Sequence, residues 1–517
     1  MKDLNLNFEM VAIVAAYFLG LIVLGAWASR KVKTSEDFIL AGRSLGFWVF
    51  TILIVASICS GMTILGTSGL GYVTGWPTIW EQVFVPLSAA VCILIFGAKL
   101  HAIGSQRGYL TVQDYFSDRF YSQNWIRGLS AVTGILVSLI YMVGQFVAIS
   151  MVLSWLFGIS YHSALLISAL IVTAYVIMGG LYAVAWSNLF QGLMLILGVV
   201  IVAPMVISSA GGLTHINTVL AGIDPNFVQP WFPNWYPGEA GPYAGYAFAT
   251  PLFLVSFFFL LTFGLASAPH VINNVFAARD ARYFKWAPLA AFGIYVVVMY
   301  LIKITGFAGR VLVAEGEISL PAGVANPSDY VFIMGAEYAF PSIISVFIGV
   351  IVLAAVMSTT DRLMLTIGTY FGWDIYRRFI RPDAPDSMIT LVSRITVAIA
   401  GALTLILAWS KPPELLAWLI WIGIGLMLAC YVAPLLAGLY WRRATREGAI
   451  SAMVLGLIAA GFAGYWHQFV QPLPVHFSLF GFVLSIGAIV VVSLATSKPS
   501  EKVLDETMTG LYIRKRE

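Results

Sequence analysis

The sequence predicts an all-α polytopic membrane protein with thirteen transmembrane helices. Three observations carry that prediction. Hydrophobic residues make up 60% of the 517-residue chain and charged residues only 10%, where an ordinary soluble domain carries about 25% charged residues. The apolar residues gather into long continuous runs of roughly 20, the length that crosses a bilayer as a helix; continuous runs exclude a transmembrane barrel, whose strands alternate. The basic residues fall on one side when the runs are threaded back and forth, as the positive-inside rule requires.

The runs lie near 8–29, 45–72, 77–99, 129–157, 162–184, 187–209, 246–270, 287–311, 341–375, 389–410, 414–440, 447–470 and 476–497. The first follows a short acidic start, MKDLNLNFE, without a basic n-region or a small-residue cleavage site, so it reads as a retained helix. With the N-terminus outside, the inner loops and the C-terminal tail hold 23 of the 28 Lys and Arg. The long outer loops, 210–245 and 312–340, hold none. A missed helix would scramble this alternation. The reading therefore places the C-terminus in the cytoplasm and the chain in a plasma (bacterial inner) membrane.

The second and seventh runs are interrupted. Ala56, Ser57, Ser60, Gly61, Thr63 and Gly66 crowd the middle of one, and Thr262, Gly264 and Ser267 sit at similar depth in the other. Small residues in membrane helices usually serve close packing. Two interruptions five spans apart also fit an inverted repeat, whose broken helices expose backbone groups at the midplane. The third and fourth runs carry Glu81, Gln82 and Gln145, and the eighth carries Lys303. In the ninth, Ser358, Thr359, Thr360, Asp361 and Arg362 stand in a row where each polar side chain is costly. Cys59, Cys92 and Cys430 all fall within spans, implying neither a disulfide framework nor a metal cluster. The chain shows no P-loop, zinc-ligand cluster or triad, so it does not read as an enzyme. Its net charge of +4 comes from the inner loops and implies no nucleic-acid partner.

Four motifs resemble one family in the right order. GLGYVTGW (69–76), GGLYAVAWSNLFQG (179–192), AAVMSTTDRL (354–363) and GLYWRRATREGA (438–449) are similar to stretches of the sodium:solute symporters. The resemblance implies the leucine-transporter fold, an inverted repeat of five plus five helices. It divides the chain into a first helix and cytoplasmic loop (1–44), a first repeat (45–209), an outer loop (210–245), a second repeat (246–440), two further helices (441–497) and a tail (498–517). It also implies Na+ as the coupling ion, a small organic solute as cargo, the lipid bilayer as surroundings and no obligate protein partner.

By the same resemblance, sodium is held by the carbonyls of Ala56, Cys59 and Ala355 and the hydroxyls of Ser358 and Thr359. Such hydroxyls otherwise bond the carbonyl one turn back. Some members hold a second sodium, with an acidic residue where this chain has Asn188 and hydroxyls where it has Asp361 and Arg362. The always-charged Arg362 is expected to occupy or repel that second cation, with Asp361 neutralising it directly or through a neighbour. This would leave one sodium per solute. A purely structural ion pair, or proton coupling through Asp361, are the alternatives.

Solute contacts are expected from Ser60, Thr63, Gln82, Gln145, Phe263 and Lys303. Gln82 is chosen over Glu81 because adjacent helical residues point about 100° apart. A buried ammonium at Lys303 needs an anion. A solute carboxylate would supply it, which favours an organic anion such as a monocarboxylate or a pantothenate-like acid. Snorkelling, or pairing with Glu315 or Glu317, would remove that argument and leave a neutral or zwitterionic solute such as proline or a sugar. His270 matches a family PH motif and reads as structural. A transporter-like membrane sensor is the reading from another class, disfavoured by a tail of about 20 residues, far below domain size.

Overall fold

A computed structural model describes residues 8–508 except 123, 234–248, 323, 325 and 411–415. The last third of the stretch at 210–245 and the end of the tail therefore lie outside the described residues. Among those described there is no β-strand, only an isolated bridge between Leu45 and Ala278. Apart from short helices at Ser35–Leu40 and Val331–Ala339 and single 3-10 turns, the helices are α1 (Phe8–Ser29), α2 (Phe47–Ile58), α3 (Met62–Thr74), α4 (Trp76–Arg107), α5 (Val112–Arg119), α6 (Trp125–Phe157), α7 (Tyr161–Ser209) and α8 (Gly212–Ile223). They continue with α9 (Pro251–Gly264), α10 (Pro269–Ala277), α11 (Tyr283–Ala314), α12 (Val346–Ile380), α13 (Asp386–Ala408), α14 (Ile420–Tyr440), α15 (Arg446–Phe469), α16 (Ser478–Ala495) and α17 (Glu501–Met508). Among the described residues ten helices are long and apolar enough to cross a membrane, and two bent pairs bring the number to twelve.

Both interrupted runs are bent helices. α2 and α3 meet at 62°, and α9 and α10 at 42°. The first break is local chemistry. Cys59 ends α2 with an extended ψ of 104°. Ser60 follows outside the helix, and π-helical turns flank the bends at Met62–Gly66 and Phe259–Gly264. Such turns leave carbonyls off the regular ladder. α7 is 49 residues long and is interrupted at Gly180, whose φ of 51° and ψ of −146° only glycine adopts freely. At 1.5 Å per residue its two parts together measure about 74 Å, more than twice the hydrocarbon thickness.

α12 is the central helix. Of its most hydrophobic stretch 89% is buried, against 28% for α1. The five polar residues in a row therefore face protein, not lipid. α3 packs backbone to backbone on α11: a Cβ at Gly306 would stand 2.1 Å from the Ser68 carbonyl, and one at Gly71 2.7 Å from that of Lys303. Small residues allow this approach. α15 and α16 form a hairpin beside α14. α17 packs on α5; close by, Tyr121 just past α5 meets Ser500 just before α17 (2.7 Å), and Arg107 at the end of α4 pairs with Glu506 of α17 (3.2 Å).

Candidate functional site

The break between α2 and α3 faces the hydroxyl pair of α12. Ser358 Oγ lies 3.1 Å from the Ala56 carbonyl, 3.5 Å from that of Cys59 and 2.8 Å from that of Ala355. Thr359 Oγ1 lies 3.2, 3.4 and 2.6 Å from the carbonyls of Ala56, Ser57 and Cys59. Each hydroxyl carries one proton. Four carbonyl oxygens thus converge on two protons, and a surplus of acceptors is left in a fully buried place. A desolvated alkali or other hard cation is what such an all-oxygen set accepts. All five expected sodium ligands, Ala56, Cys59, Ala355, Ser358 and Thr359, are brought together. Ser57 supplies a further carbonyl that the motif did not indicate.

The neighbouring polar groups separate rather than pair. Asn188 Nδ2 donates to the Ser358 carbonyl at 3.0 Å, so the middle of α7 touches the same site. Asp361 turns towards α7, accepting from Tyr175 at 3.1 Å and Ser187 at 3.4 Å. Arg362 turns towards α10, and its Nε donates to the His270 carbonyl at 3.4 Å. Among the described residues no ion pair joins Asp361 to Arg362. The expected direct neutralisation is therefore corrected: consecutive positions on a helix point in different directions.

The sequence model of the sodium:solute symporter family matches residues 38–456. The chain belongs to the sodium:solute symporter family. It is similar to the sodium/pantothenate symporter of Escherichia coli (strain K12), 26% identical with 87% of this chain and 89% of the relative covered. It is also similar to the sodium/proline symporter of Haemophilus influenzae, 27% identical with 95% of each covered. A solved Na+-coupled sialic acid symporter in a substrate-bound outward-open state shares the fold, with a TM-score of 0.75, 19% identity and 96% of this chain and 100% of that one covered. The chain is thus a multi-pass membrane transporter of a secondary-transport family rather than an enzyme, and sodium-coupled solute import is its family's activity.

A small cavity lies against the break between α2 and α3. Ser60, Thr63, Thr67 and Tyr141 supply its polar lining, and Val85, Leu261, Leu265, Met299 and Ile424 are among its apolar walls. Of the six expected solute residues only Ser60 and Thr63 line it. Thr63 is fixed by Tyr295 at 3.1 Å and caps the Ser60 amide at 3.0 Å. Gln145 holds the break instead: its Oε1 accepts from the Gly61 amide at 2.9 Å. Phe263 stacks on Phe259 at 6.1 Å and packs against Phe258. Tyr141, Val85 and Met299 were missed, because nothing in one sequence separates a cavity-lining residue from a packed one.

Gln82 and Lys303 form a separate cluster with Glu81. Lys303 Nζ and Gln82 Nε2 each lie 3.1 Å from Glu81 Oε2, and the ion pair is fully buried. Glu81 is therefore the partner of Lys303. The expected partners are engaged elsewhere: Glu315 meets His215 at 2.6 Å, and Glu317 accepts from Tyr338 at 2.9 Å.

Proposed function

We propose that the chain imports a small net-neutral or zwitterionic solute with one sodium ion per turnover. The convergence of four carbonyls on the Ser358 and Thr359 hydroxyls carries the sodium part. An ion there would tie α2 to α12 across the break and so favour the state in which the cavity is formed. By linkage the ion then raises solute affinity by the same factor that solute raises ion affinity. The gradient and the membrane potential drive the cycle, the latter with about 2.3 kcal/mol per charge per 100 mV.

Single-sodium coupling is supported by Asn188, Asp361 and Arg362. The acidic ligand of a second site is replaced by an amide already donating to Ser358, and a guanidinium stands in place of a hydroxyl. The solute class is supported by the Lys303–Glu81 pair. A lysine already neutralised by a buried carboxylate has no charge left for a solute anion. The cavity lining carries no charged side chain, which supports a solute without net charge. Proline, carried by several relatives, belongs to that class, whereas pantothenate represents the organic anions.

We read α7 as two spans divided at Gly180, which brings twelve to thirteen and allows two five-helix repeats, 45–209 and 246–440. The basic inner loops support an outside N-terminus and a cytoplasmic C-terminus. Reconstituted into vesicles, the protein is expected to accumulate labelled proline on a sodium gradient with one net charge moved per solute. Two charges per solute, or accumulation of pantothenate to the exclusion of proline, would overturn the stoichiometry or the solute class respectively.

A further inference from the structure

The most extensive buried ionic cluster among the described residues lies away from the sodium site, at the face that carries α17. Arg127 of α6 bridges two carboxylates, Asp114 of α5 at 2.6 Å and Asp374 of α12 at 2.7 Å. The three side chains are 4%, 6% and 0% exposed. Asp114 also accepts from the amides of Leu110 and Thr111 and from Trp373 at 3.0 Å, and Thr111 Oγ1 donates to Asp374 at 3.0 Å. Burial works against ionisation of Asp114, but the Arg127 guanidinium and those two amides outweigh it and hold the carboxyl below the usual range. The cluster joins residues of 45–209 to residues of 246–440. A second contact does the same: Asn273 in the middle of α10 accepts from the Val112 amide at 3.0 Å and donates to Tyr370 at 2.9 Å.

We propose that Arg127, Asp114 and Asp374 form the gate that closes the C-terminal face during transport, with Arg127 as its positioning residue. This rests on the reading of the chain as a sodium-coupled importer, whose cavity must open to one face at a time if the sodium gradient is not to leak away. The gate needs to be openable, and the chemistry of the cluster provides for that. The desolvation of a buried ionic bridge nearly cancels its attraction. When water enters, all three groups hydrate, so the closed and open arrangements lie close in energy. An apolar seal has no such second state. Arg127 Nε and Asp374 Oδ2 lack hydrogen-bond partners among the described residues, so the cluster is not tuned for maximal stability. Its position supports the same role. Asp374 lies three turns beyond Arg362 on α12, so the cluster stands between the sodium site and that face.

Thr366 provides the reporter. It is 2% exposed, its hydroxyl has no partner among the described residues, and it shares a face of α12 with Arg362 and Tyr370. A membrane-impermeant thiol reagent is applied to Thr366→Cys in inside-out and right-side-out vesicles, in choline, without solute. The chain without this cysteine is the blank for native thiols. Arg127→Gln is expected to speed labelling from the C-terminal face about tenfold, with no gain from the other face, and to lower the apparent affinity for external sodium. Arg127→Lys restores part of the closure. Asp374→Asn and Asp114→Asn shift labelling the same way by less, and they decide the matter if Arg127→Gln does not fold. Variants that melt like the parent yet label no faster from that face, or equally faster from both, overturn the proposal. Because labelling is read without sodium or solute, that failure would leave the sodium site standing.

Discussion

Replacing Ser358 and Thr359 together by alanine is expected to raise the half-saturating sodium concentration for uptake at least a hundredfold. The two hydroxyls are two of the five oxygens assigned to the ion, and they are the only ones a side-chain substitution removes. A hydrogen-bonding or ligating contact to a charged group contributes roughly 1.5–3 kcal/mol. Losing two costs about 3–6 kcal/mol, and each 1.4 kcal/mol is tenfold in affinity. The helices should survive, because the carbonyls left without hydroxyl donors are held by the turn geometry of α2 and by the Gln145–Gly61 bond across the break. Sodium titration of uptake at fixed solute checks this. An unchanged sodium dependence in a normally folded double variant would place the ion elsewhere.

The second large effect is on stability. Lys303→Ala leaves the Glu81 carboxylate in the dry core with only Gln82 Nε2 as a donor. Breaking one partner of a buried ion pair costs about 3–5 kcal/mol, whereas replacing both by apolar groups of similar volume is close to neutral. Thermal unfolding of the detergent-solubilised protein should therefore fall steeply for Lys303→Ala. It should recover most of the way in Glu81→Leu/Lys303→Met. The double variant also decides the solute question. If Lys303 only neutralises Glu81, the folded double variant still transports. If it binds a solute carboxylate, that variant is stable and inactive.

The parts of this fold that were legible in the sequence are those set by local chemistry. Long apolar runs mark the spans because the bilayer leaves the backbone no other way to satisfy itself. The breaks at Cys59–Ser60 and near Ser267 were visible as crowded small and hydroxyl residues within those runs. The five residues expected to hold sodium came from motif resemblance, and the geometry gathers them. Pairing across the chain was not legible. Glu81 and Lys303 are 222 positions apart, so periodicity carries no trace of their contact. The partners suggested by nearness in sequence, Glu315 and Glu317, are taken by His215 and Tyr338. Asp361 and Arg362 looked like a pair because they are adjacent, yet adjacency on a helix is what keeps them apart. Glu81 and Gln82 fail the same rule in the opposite sense. Their side chains are long enough to bend together onto Lys303 and Thr78, and neither lines the cavity.

Direct binding of sodium-22 to the purified protein, in choline and without solute, tests the central assignment. Saturable binding of about one ion per chain, displaced by unlabelled sodium and lost in Ser358→Ala/Thr359→Ala, is the expected result. Binding that persists in that variant, or no saturable binding to the wild-type chain, would contradict it.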